Sequence, residues 1–168
     1  MVADTIRLLL FPAMMAFAAS SDLLTMTISN RVSLILAGSF FAVAIWSGMP
    51  LNEIGMHIGA GLAVLVVTFT FFARGWIGGG DAKLAAATAL WLGFDQLLNY
   101  LTIASILGGV LTLLIMRFRL MPLPALLADH EWAKRLHRMD AGVPYGIALA
   151  IAALWVYSDT PFMKSLGM

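Results

Sequence analysis

The sequence predicts an all-α, polytopic membrane protein, with about six transmembrane helices in one bundle over residues 1–168. Three observations carry that expectation. The 168 residues are 61% hydrophobic and 11% charged, with a mean hydropathy of +0.93, whereas a soluble domain is roughly half apolar and about a quarter charged. Apolar stretches near the length that crosses a bilayer, about 20 residues, recur along the chain. Basic residues collect in alternate connections, the pattern that sets orientation in a membrane. Cysteine is absent, which excludes disulfides, thiolate zinc sites and cysteine nucleophiles within this sequence. Eleven scattered methionines fit apolar packing. A net charge of +1 gives no reason to expect nucleic acid as a partner.

The first helix is expected at 6–21. Arg7, the apolar run 8–16 and the small residues of Ala16-Phe17-Ala18 imitate a secretory leader, but the segment is expected to stay as a spanning helix. The second helix is expected at 32–47. The third, at 54–73, carries Gly55, Gly59 and Gly61, small positions that let helices pack closely. The fourth, at 81–94, is short for a full span and is entered through Gly78-Gly79-Gly80. Irregular backbone at membrane depth is tolerated only where protein or a wet cavity covers it, so this turn is expected to form a cavity wall. The fifth runs over 96–116, with Gly108-Gly109 inside it. Pro122 and Pro124 then stop the helix. A basic connection follows at about 117–141, in which Trp132, Leu136 and Met139 recur at helical spacing. That suits either a helix lying among anionic headgroups or a solvated basic loop. Pro144 starts the last helix, ending near 157, where its missing N–H costs nothing. Tyr145 beside it is placed to anchor at the interface or to reach toward the site.

Charge then orients the bundle. Arg31, Arg74, Lys83, Arg117, Arg119, Lys134, Arg135 and Arg138, eight of the ten Lys and Arg, lie in the connections after helices one, three and five. Arg7 and Lys164 lie at the termini, and the connections around Glu53 and Asp95 have none. The basic connections are expected in the cytoplasm and both termini outside. Asp22 and Asp81 then share the cytoplasmic face.

Those two acids carry the candidate chemistry. An ionisable residue beside hydrocarbon is costly and is a functional-site hypothesis by default. Asp81 follows three glycines, which admit another backbone closely. Asp22 ends the first helix after Ser20-Ser21, where an isolated carboxylate would simply be solvated. Two carboxylates held close cannot both ionise easily and share a proton. The ionised member can activate water while the protonated one donates to a peptide carbonyl, a route to hydrolysis without metal, serine or cysteine. Lys83 is placed to influence the pair or to meet lipid headgroups.

Other motifs are set aside. His130-Glu131 opens like H-E-x-x-H, but Lys134 stands where the second histidine would be, and no Gly-Lys-Ser/Thr follows the triple glycine. No metal and no cofactor is expected. Two rival classes remain on the residues alone. A small transporter or channel component would use Asp22 and Asp81 to relay protons or cations, although no internal repeat is visible. A membrane scaffold without chemistry would leave the Gly78–Asp81 turn unexplained.

Gly78-Gly79-Gly80-Asp81 matches the G-x-G-D signature of intramembrane aspartic proteases. With Ala82-Lys83-Leu84 after it, the stretch resembles the bacterial type IV prepilin peptidases. Asp22, Ile28 and Asn30 fall at the places of that family's D-x5-I-P-N pattern, with Ser29 where proline is usual. Gly142-Val143-Pro144-Tyr145-Gly146 resembles the family's closing segment. The resemblance implies an aspartic endopeptidase of the inner membrane with Asp22 and Asp81 as catalytic pair. It also implies that Gly78, Gly79, Gly80, Asn30 and Lys83 bind substrate or shape the site. The implied substrate is a prepilin or pseudopilin, cut after a glycine that ends a short basic leader, just before a hydrophobic helix. Longer members carry a methyltransferase region with paired C-x-x-C motifs. Without cysteine, this chain resembles the short class that serves Flp-type, tight-adherence pili and does not methylate. Anionic membrane lipids, or Asp129, Glu131 and Asp140, are the expected partners of the basic leader.

Overall fold

The computed structural model describes residues 2–160 and 163. Helices make up its regular structure: α1 (Val2–Thr25), α2 (Asn30–Trp46), α3 (Leu51–Ala73), α4 (Gly79–Leu120), a 3-10 turn (Ala125–Leu127), α5 (Glu131–His137) and α6 (Gly146–Tyr157). No strand occurs among the described residues. Lys164 lies outside them.

The fourth and fifth expected spans are two limbs of α4. Gly93 breaks it with φ 66° and ψ −179°, a conformation essentially confined to glycine. The chain reverses there. Tyr100 stands beside Thr88, and Leu97 packs on the cluster formed by Val64, Ala85, Ala86 and Ala89. In a straight helix, positions 88 and 100 would be about 18 Å apart. A side chain at 93 would also strike the His57 ring, whose Nδ1 is 2.8 Å from the Leu90 carbonyl oxygen. The polar Asp95 suggested a turn slightly later; backbone geometry sets it at Gly93.

The first limb of α4 is the buried axis. Leu84, Ala85, Ala86, Ala87, Thr88 and Ala89 are all buried, as are Leu90, Trp91 and Leu92. A helix apolar on every side belongs inside, and its alanines let neighbours approach. Phe11 of α1 lies between Trp91 (ring centroids 5.3 Å) and Tyr157 of α6 (4.3 Å). Trp91 donates its indole N–H to the Leu36 carbonyl at 2.8 Å, joining α4 to α2.

The outside is apolar too. Leu62, Val66, Phe69 and Phe72 on α3, and Leu113 and Leu114 on α4, are exposed. In water such a surface would be an aggregation or binding face; in lipid it is the required exterior. The helices α3 and α4 are long and apolar enough to cross a membrane, while α2, α6 and the 9–25 part of α1 are shorter apolar helices. The architecture is that of an all-α membrane bundle.

The 121–145 connection holds a helix, as one of the two expectations had it, but a shorter one than the spacing suggests. The α5 helix covers only Glu131–His137, so exposed Met139 lies beyond it, and Ala133 faces inward. Arg119 at the end of α4 and Arg135 of α5 are used on backbone. Arg119 donates to the carbonyls of Leu136 (2.9 Å) and Gly142 (2.7 Å), and Arg135 to that of Leu24 (2.9 Å). His137 hydrogen-bonds the Met121 carbonyl at 2.8 Å. Arg135 thereby satisfies one of the carbonyls that a helix C-terminus leaves without an internal partner.

Candidate active site

Asp22 sits in the last turn of α1 and is 5% exposed. The helix stops because Met26 takes a left-handed conformation, φ 54°, while its N–H still donates to the Asp22 carbonyl at 2.8 Å. Ser21 donates its hydroxyl to the Thr27 carbonyl at 2.9 Å, tying the turn down. Ile28, 8% exposed, tucks beneath. Ser29 then caps α2, its hydroxyl oxygen accepting from the Arg31 N–H at 3.3 Å. Its φ of −64° is also the angle proline imposes, so serine and proline can exchange here without moving the aspartate.

Asp81 stands three positions after the N-cap of α4, Gly78. The Gly78 N–H turns toward its carboxylate, in the manner of an acid that reaches back to an N-cap. A Cβ on Gly78 would lie 2.7 Å from Asp81 Oδ2, and one on Gly80 would lie 3.0 Å from Ile28 Cβ. The glycines therefore let the α1–α2 turn rest directly on the α4 N-terminus. Gly79 faces Phe72 of α3. The Asp81 Oδ1 atom is buried and makes no hydrogen bond.

The two acids line one cleft of about 240 Å³, with Met26, Thr27, Ile28 and the three glycines. A third segment completes it. The Gly146 N–H, at the start of α6, donates to Asp22 Oδ2 at 2.7 Å, so a helix N-terminus faces this carboxylate. A Cβ at 146 would lie 2.8 Å from both Asp22 Oδ2 and Ile28 Cδ1. Gly146 was given no role from the sequence; the available signal was a glycine two residues after a proline at a helix start.

Other expected residues fall elsewhere. Lys83 donates to the Asn30 side-chain oxygen at 2.7 Å, and both line a separate groove, not the acid cleft. Tyr145 bonds Thr112 at 2.9 Å and packs on Gly108, seating α6 against the second limb of α4. Glu131 pairs with Lys134 at 2.8 Å, and Arg138 with Asp140 at 2.6 Å. The Arg138 guanidinium holds the Asp140 carboxyl below its usual value. These two acids already have cations, while Asp129 is exposed.

Residues 9–113 match the type IV leader peptidase family, a stretch that includes both aspartates and the glycine turn and stops short of Gly146. The chain is 27% identical, over an alignment of 169 residues, to the prepilin leader peptidase/N-methyltransferase of Burkholderia pseudomallei strain 1026b; the alignment covers 92% of this chain and 50% of that protein. The protein of the same name from strain K96243 matches to the same extent. The chain thus spans about half the length of the curated relatives it matches. No solved structure matches it.

Proposed function

The chain belongs to the type IV leader peptidase family, and from that premise we propose that it is an intramembrane aspartic endopeptidase that removes the leader of a type IV prepilin or pseudopilin. The observation that carries the reading is the shared cleft: acids from the end of α1 and the start of α4 line the same 240 Å³. Asp22, oriented by the Gly146 N–H, takes a proton from water as the oxygen attacks the scissile carbonyl carbon. Asp81 gives its proton to the carbonyl oxygen. When the tetrahedral intermediate collapses, the C–N bond breaks and the amine leaves with the proton held by Asp22. The hydroxyl proton returns to Asp81, and the pair is restored. Gly78, Gly79 and Gly80 shape the turn that brings Asp81 against the α1–α2 turn, and the cleft they line is the proposed seat of the extended peptide.

The proposed setting is the bacterial inner membrane, with the cleft on the cytoplasmic side and both termini outside, as the basic connections favour. The proposed substrate carries a short basic leader and belongs to the Flp type; without cysteine the chain holds no C-x-x-C pair of the kind a methyltransferase region uses. Replacing either aspartate by asparagine tests the reading. Uncut prepilin should accumulate on a gel from membranes holding normal amounts of enzyme. Normal processing by either variant would refute the pair. Aspartate-dependent ion flux with no processing by the wild type would favour a relay instead.

A further inference from the structure

A second concavity lies on the other face of α4 from the acids, shares no lining residue with their cleft and has no role in the chemistry above. The helices α2 and α3 each pack on α4 but hardly on each other. They meet deep in the bundle, where Phe40 stacks on His57 with ring centroids 5.2 Å apart. Between them runs a groove of about 480 Å³. Its floor includes Ala86 and Leu90 of α4, and Ala37 of α2 forms part of one side. Leu34 and Leu62, both exposed, form the lips, so the groove opens on the apolar exterior that faces lipid.

The polar side chains of the lining gather at its rim. They are Asn30, Ser33 and Lys83; Lys83 is the one charge, and no acid lines the groove. Lys83 donates to the Asn30 side-chain oxygen at 2.7 Å, a neutral partner. Among the described residues the ion pairs are Lys134–Glu131 and Arg138–Asp140, so no carboxylate answers the Lys83 charge. An ammonium carries three donors and an amide two, which leaves both exposed side chains with donors to spare. One turn deeper, Ser33 Oγ is buried without a hydrogen-bond partner in the same lining.

The dimensions decide what the groove can take. Along α2 the lining runs over positions 30–41, about 16 Å of helix. One leaflet of hydrocarbon is about 15 Å deep. Spread over that length, the volume is a channel of about 30 Å² in section, whereas a helix 10–12 Å across fills roughly 80–110 Å². The groove is too narrow to seat a helix and suits an extended hydrocarbon chain. We propose that it binds one anionic phospholipid of the leaflet beside the acids, with its phosphate at Lys83 and Asn30 and an acyl chain along Ala37, Ala86 and Leu90. Ser33 stands one turn below the phosphate, as a donor for an ester carbonyl. A zwitterionic lipid would bring its own cation beside Lys83, where no acid receives it. The inference does not depend on the peptidase reading, but it gives that reading a depth gauge. A headgroup held at Lys83 fixes how far below the membrane surface Asp81, two residues earlier on α4, can lie.

Native mass spectrometry of the full chain tests this. The protein is equilibrated in mild detergent with equal amounts of phosphatidylglycerol and phosphatidylcholine of the same acyl chains. One phosphatidylglycerol retained per chain is expected, in several-fold excess over phosphatidylcholine. Lys83→Gln should abolish the preference, and Lys83→Arg, which keeps the charge, should restore it. Ala37→Trp, which fills the groove, should release the lipid, while Leu113→Trp on another exposed face should retain it. Each variant is scored on material that elutes as wild type on size exclusion. Lys83→Gln, a change at an exposed position, keeps the test decisive if Ala37→Trp does not fold. Equal retention of both lipids by the wild type, or undiminished preference in Lys83→Gln, would overturn the proposal. So would inorganic phosphate binding as well as the whole lipid, or a dimer that Ala37→Trp abolishes, which would give the groove to a second copy of the chain.

Discussion

Gly146→Ala isolates the contribution of α6 to the acid cleft. The added Cβ would stand 2.8 Å from Asp22 Oδ2, 2.8 Å from Ile28 Cδ1 and 3.0 Å from Asp22 Cβ. No flexible tail can swing aside, because the Asp22 side chain is short and Ile28 is held against Gly80. The start of α6 must move outward by several tenths of an ångström or more, and the 2.7 Å N–H bond to Asp22 lengthens or breaks. A hydrogen bond to a charged group contributes about 1.5–3 kcal/mol. If that loss falls on the transition state, kcat/KM drops about 10- to 100-fold, since about 1.4 kcal/mol corresponds to a factor of ten. Initial rates of leader removal in detergent, scaled to folded enzyme by size-exclusion chromatography, measure it. Activity within about twofold of wild type, well under 1 kcal/mol, would refute the claim that the α6 amide orients the base.

The other expectations are independent. Asp22→Asn and Asp81→Asn should each lower processing by at least about 10²- to 10⁴-fold, the usual loss of a general acid or base, with unchanged elution on size exclusion; residual activity above that range counts against the pair. Gly80→Ala should drive the α1–α2 turn off the α4 N-terminus, since its Cβ would sit 3.0 Å from Ile28 Cβ, and a strong loss of processing on a gel is expected. Met26→Gly should raise the thermal midpoint, because a left-handed non-glycine residue costs roughly 1–2 kcal/mol; an unchanged or lower midpoint argues against the turn described. Arg135→Ala should free α5 from the Leu24 carbonyl, visible as faster limited proteolysis within 121–145; unchanged cleavage kinetics there would show that the clasp holds nothing.

The sequence was legible where composition and spacing alone decide. Apolar stretches marked the helices, because hydrocarbon demands an apolar exterior. The glycines before Asp81 and the position of Asp22 at a helix end pointed to one cleft. Where the partner of a residue is remote, the reading stopped. Nothing local to Gly146 says that its N–H meets an acid 124 residues earlier. Asn30 and Lys83 were expected to bind substrate or shape the site, and Lys83 to influence the acids or meet headgroups; that the two side chains bond each other across 53 residues was not legible. The basic connection was read by its charge, whereas Arg119 and Arg135 spend that charge on backbone carbonyls. Periodicity extended α5 to Met139, but the exposed end of the connection carries no packing to hold another turn.

The stacking of Phe11 on Tyr157 makes α1 and α6, the first and last of the described helices, neighbours. During synthesis, α1 therefore cannot take this seat until α6 has followed it. Until then Asp22 lacks the amide that aims it. The acid cleft is thus assembled only when residues 124 positions apart have come together.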